Sequence, residues 1–149
     1  MSIVASEIEK LKFTFTHEIV VKSSLEATFA AILEQMGPGN ETPDGRALQL
    51  VLEPWPGGRW FRDLGEGNGH YWGTVQAIKR PTLLEICGPL MISAPSVSNV
   101  QYRLEAVEGG TRVAFHHTAL GLVPDGGMQG FSQGWTHILQ SIARRAERT

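Results

Sequence analysis

The last third of the chain carries the pattern that most constrains the fold. Met128, Phe131, Trp135, Ile138 and Ile142 recur at steps of three and four, with Leu139 beside them. Gln129, Gln133, Thr136, Gln140 and Arg144 fall away from that stripe. This spacing predicts an amphipathic helix of about five turns, introduced by Pro124-Asp125-Gly126-Gly127. Such a helix must bury its stripe against a second layer, and the preceding residues must supply that layer.

Those residues read mostly as strands. From Leu11 to Lys22, Phe13, Phe15, His17, Ile19 and Val21 alternate with polar residues, as in a half-buried strand. The period then changes. Ser23 and Glu26 have capping-box spacing, and Leu25, Phe29, Ile32, Leu33 and Met36 follow at helical spacing until Gly37-Pro38-Gly39. Asn40 to Arg46 reads as loop. Strands are expected around Ala47–Leu52, Arg59–Leu64, His70–Lys79, Leu83–Cys87, Val97–Val107 and Thr111–Ala119, with Gly88 to Pro95 ambiguous because of its two prolines. Short connections imply antiparallel pairing. The expected architecture is α+β: a curved antiparallel sheet of six or seven strands wrapped around the C-terminal helix, with a short helix after the first strand. Residues 1–149 form one domain in this reading, with 1–10 a short tail.

Composition narrows the partners. The net charge is -2, and the basic cluster Arg144, Arg145 and Arg148 sits at the end of the last helix, where cations complement the dipole. Neither a nucleic acid nor a membrane is implied as a partner. The lone cysteine, Cys87, excludes an internal disulfide and reads as a structural thiol. No run approaches the ~20 apolar residues of a membrane span, and no signal-like segment opens the chain, so the expected location is cytoplasmic. Exposed sheet edges leave a homodimer open.

Local patterns accompany this order of elements: Glu18-Ile19-Val20-Val21 before Ser23-Ser24-Leu25-Glu26; Pro56-Gly57-Gly58-Arg59-Trp60; Trp72-Gly73-Thr74-Val75 with Pro81-Thr82-Leu83-Leu84; Gly110-Thr111-Arg112-Val113 with His117; and Gly134-Trp135 with Leu139. Together they resemble the START-like or SRPBCC superfamily, whose helix-grip fold is that of the birch pollen allergen. Within it the chain is similar to the homologues of the heat-shock-protein-90 ATPase activator. The order and spacing of the patterns over Phe13 to Glu147 carry the resemblance. The chain departs from the family pattern at Phe29, where tryptophan is common, and after Met36, where a second short helix is usual. A more open or differently lined cavity mouth is the expected consequence.

The resemblance implies a ligand space between sheet and helix. Phe15, His17, Trp60, Tyr102, Phe115, His117, Phe131 and Trp135 are the candidate lining residues. His17 and His117 share a face with strand apolar residues, so they read either as a ligand-orienting or proton-transferring pair or as separate core histidines. Trp60 and Arg62 share a face; an inward Arg62 could pair with a ligand carboxylate, but the preferred reading places it at the surface. Gly130 and Gly134, one turn apart, read either as the place where a strand or a ligand approaches the helix closely or as a glycine pair that the helix merely tolerates. No catalytic triad is visible: Ser132 and His137 lie on different helix faces. No metal-ligand spacing is visible either, and no cofactor is implied. The leading function is binding of a small, mainly apolar ligand. The alternatives are a cyclase/aromatase-like enzyme using His17, His117 and Tyr102, and a chaperone ATPase-stimulating accessory protein.

Overall fold

A computed structural model describes residues 7–123 and 127–148, without the side chains of 127 and 128. Residues 1–6 of the expected tail, the turn residues 124–126 and the Met128 side chain therefore lie outside the described residues. After a helical turn at 7–10, the order is β1 (Lys12–Val21), α1 (Leu25–Met36), β2 (Leu50–Leu52), β3 (Arg59–Gly65), β4 (Asn68–Lys79), β5 (Leu83–Gly88), β6 (Ser96–Val107), β7 (Gly110–Gly121) and α2 (Gly127–Glu147). The seven strands form one antiparallel sheet in the order β1-β7-β6-β5-β4-β3-β2. The first and last strands in sequence are neighbours, and every other pairing is between consecutive strands, as short connections require.

Among the described residues, the stripe on α2 packs on the sheet as its spacing demands, with Phe131 and Ile138 only partly buried. Trp135, Leu139, Ile142 and Ala146 enter one core with Tyr102, Leu104, Val113 and Phe115 from β6 and β7. Phe29, Ile32 and Met36 of α1 close the same core from the side. Helix α2 runs to Glu147, beyond the expected stripe, because Ala143 and Ala146 continue the apolar face.

Three local expectations need correction. The N-cap of α1 is Ser24, whose Oγ accepts from Ala27 N at 3.1 Å, so the capping pair inferred from Ser23 is displaced by one residue. Strand β2 begins only at Leu50, because Gln49 has φ 57° and breaks the extended run from Ala47. Arg62 is half-buried rather than surface. It lies opposite Leu50 and His70, and its buried Nε has no hydrogen-bond partner among the described residues.

The segment after β5 positions the site. Gly88 packs so closely on β4 that a Cβ on it would lie 2.5 Å from Gly73 Cα, which only glycine avoids. Leu90 N then donates to Trp72 O at 2.7 Å. Leu90 and Ile92 are buried, and Met91 between them is exposed and faces α2. This is the stretch whose two prolines had left it ambiguous.

Candidate functional site

The space between sheet and helix is filled over most of its length by the large side chains the sequence pointed to. Phe115 and Trp135 have ring centroids 4.6 Å apart, and Tyr102 and Phe115 5.0 Å. Trp60 stands edge-on to Trp72 at 5.1 Å, and its Nε1 donates to Met36 O at 2.6 Å, closing the C-terminal end of α1. Tyr102 is fully buried, its hydroxyl donating to Met36 Sδ at 3.2 Å. Burial pushes its phenol above the ordinary tyrosine range. Trp60, Tyr102 and Phe115 therefore act as core.

The two histidines do not form a pair. β1 lies beside β7, but the register puts Phe15 opposite His117 and His17 opposite Phe115. His17 is exposed, its ring stacked on half-buried Phe15 at 6.2 Å. His117 is 0% exposed. Trp135 Nε1 donates to its Nδ1 at 2.9 Å, and its Nε2 meets Ser98 Oγ at 3.0 Å. An indole N–H can only donate, so Nδ1 is the acceptor and Nε2 carries the proton, donated to Ser98. Desolvation first, and the neighbouring His116 second, lower its pKa to about 4. Phe13 and Phe131 contact the ring edge-on at 5.3 and 5.7 Å.

Open space remains at the N-terminal half of α2. Met91, Gly130, Phe131, Gly134, Trp135 and Ile138 line a groove of about 290 Å³ that opens to solvent. Its lining is almost wholly apolar, and the one polar hydrogen on its side chains, the Trp135 indole N–H, is already held by His117. A Cβ built on Gly130 or on Gly134 meets nothing within 4 Å among the described residues. The glycines are therefore not tolerating a strand; they leave the helix surface bare. Phe131 and Trp135 reach the groove, His117 and Phe115 support Trp135 from behind, and Phe15, His17, Trp60 and Tyr102 lie elsewhere. Sequence reasoning did not place Met91 or Ile138 in the site. Met91 sits in an irregular segment, and Ile138 had the period of a core residue. The glycine pair was the available signal.

The expected change at the cavity mouth after Met36 falls elsewhere. Residues 37–46 lie along the C-terminal half of α2, where Arg145 donates to Gly39 O at 2.8 Å and the His137 ring meets Glu41 O at 3.3 Å.

A seven-stranded antiparallel sheet holding a long C-terminal helix, with a second helix after the first strand, defines a protein of the helix-grip class. More particularly, residues 46–147 match the family described as activator of Hsp90 ATPase homolog 1-like protein, and the chain belongs to that family. No curated protein matches it. Among solved structures, it is similar to an uncharacterised protein from Rhizobium leguminosarum, at 21% identity, TM-score 0.72, covering 93% of this chain and 96% of that one. It is also similar to Ara h 8.0201, at 17% identity, TM-score 0.69, covering 93% and 99%. A third likeness is to the di-domain ARO/CYC StfQ of the steffimycin biosynthetic pathway, at 13% identity, TM-score 0.70, covering 97% of this chain and 53% of that one. At these identities the likenesses show a shared fold. No helix among the described residues is long and apolar enough to cross a membrane.

Proposed function

We propose that this protein binds a small, mainly apolar ligand in the groove between α2 and the segment around Met91. The observation that carries this reading is the bare helix surface at Gly130 and Gly134, flanked by Phe131, Trp135 and Ile138. Each glycine costs about 1 kcal/mol of helix stability relative to alanine, and no neighbouring atom among the described residues requires either of them. A ligand lying on the helix would use that space. Ligand pockets commonly measure about 300 to 1,000 Å³, so a groove of this size suits a small molecule with part of its surface left in solvent. With the indole N–H engaged by His117 and the ring almost wholly buried, Trp135 gives the groove a fixed apolar wall rather than a hydrogen bond.

The enzymatic alternative has less support. Of its three acid-base candidates, Tyr102 and His117 are buried with their polar atoms bonded, and His17 is exposed away from the groove. Stimulation of an Hsp90 ATPase, which the family description names, would draw on a partner surface, and the groove offers no argument for it.

Native mass spectrometry of the purified protein tests the proposal. A retained small molecule, released on denaturation and absent from Gly134→Leu, is the expected result. A wild-type protein that carries nothing, and takes up no apolar compound when incubated with a mixture of them, would overturn it.

A further inference from the structure

A second concavity lies on the C-terminal half of α2, against residues 35–45, and its chemistry is the opposite of the groove's. It measures about 230 Å³, and its walls include Gln35, Glu41, Ser141, Arg144, Arg145 and Arg148. The arginines are adjacent because 141, 144, 145 and 148 recur at steps of three and four along one helix face. None of the three has a carboxylate within ion-pair distance among the described residues. Arg144 donates to Ser141 Oγ, and Arg145 donates to Gln35 Oε1 and to Gly39 O. Glu41, the one acidic side chain in the wall, is exposed and offsets part of the charge.

The macrodipole explains why cations collect at a helix C-terminus. It does not explain what lies between them. Gln35 is 1% exposed, and its Nε2 has no hydrogen-bond partner among the described residues, nor has the buried Nε of Arg145. Asn40 Oδ1 is an unpartnered buried acceptor in the same segment, but the donors outnumber it, and donors left over beside three guanidiniums call for an acceptor. The dipole's negative end amounts to about half a charge, which three full positive charges outweigh.

We propose that this pocket is an oxyanion site for a phosphate or phosphomonoester group. The guanidiniums of Arg144 and Arg148 supply forked donors, and Arg145 and the Gln35 amide supply fixed ones. The site is independent of the apolar groove, since the two share no lining residue.

The test is an NMR titration of the side-chain amide of Gln35 with inorganic phosphate, using chloride at equal ionic strength as the control. The expected result is a saturable shift with phosphate that chloride does not produce. In Arg144→Gln/Arg148→Gln, whose substituted side chains are exposed, the affinity should weaken by about tenfold or more with an unchanged unfolding midpoint, while Gly134→Leu should bind phosphate as the wild type does. Competition by glycerol 3-phosphate, and cosedimentation with phosphatidylcholine vesicles carrying phosphatidic acid, then tell a free phosphomonoester from a lipid headgroup. Identical responses to phosphate and chloride, or a phosphate affinity unaltered in the double variant, would overturn the proposal.

Discussion

Trp135 Nε1 donates a 2.9 Å hydrogen bond to His117 Nδ1, tying the gripped helix to the strand beneath it. Both side chains are buried, and Trp135 borders the apolar groove, so this bond fixes the wall of the candidate site. Replacing Trp135 by Phe leaves Nδ1 without its donor and opens space beside Phe115. The expected cost is about 2 to 4 kcal/mol of unfolding free energy, read by denaturant titration. In the wild type, ¹⁵N NMR should show Nδ1 of His117 as the unprotonated nitrogen.

The depressed pKa of His117 makes stability depend on pH with a definite sign. The unfolded imidazole titrates near its ordinary 6.5, the folded one at about 4. Between those values the unfolded chain binds more protons than the folded one. The contribution is thus fully present above about pH 6.5 and is lost as pH falls toward 4, amounting to about 3 kcal/mol at most. Unfolding free energies measured from pH 7.5 to 4.5 should fall more steeply in the wild type than in His117→Gln. Parallel slopes would remove His117 as the cause.

Gly134→Ala is expected to stabilise the protein by about 1 kcal/mol, because the added methyl meets nothing within 4 Å among the described residues. The gain should appear as a higher unfolding midpoint. A loss would mean that the space is needed for packing.

Ser24→Ala removes the hydroxyl that accepts from Ala27 N and should cost about 1 kcal/mol. Ser23→Ala should be near neutral, since only the backbone of Ser23 is bonded, its N to Val21 O and its O to Thr111 Oγ1. Denaturant midpoints of the two variants separate them.

That last pair shows where reading the sequence succeeded and where it slipped. The turn from strand to helix at Ser23-Ser24 was legible from the change of period, but two adjacent serines offered two caps, and only geometry chooses between them. The strands were legible because period-two alternation survives in β1, β6 and β7, where one face is core and the other solvent. The site was legible only in part. Aromatic residues on the inward face mark either a cavity lining or its filling, and the pattern alone does not say which. Tyr102 and Trp60 turned out to fill the core because the α1 end presents Met36 to both of them. His17 had the parity of an inward residue, yet it lies on the outermost strand and is left in solvent. Met91 was invisible because its position depends on the close approach of Gly88 to Gly73, a contact between strands.

The most direct test of the central claim is equilibrium binding of an uncharged fluorescent apolar probe, N-phenyl-1-naphthylamine, to the wild type and to Gly134→Leu. Leucine at this position should fill the groove while favouring the helix, so the account predicts saturable binding to the wild type and its loss in a variant at least as stable. Equal binding by both proteins, or none by the wild type, would contradict it.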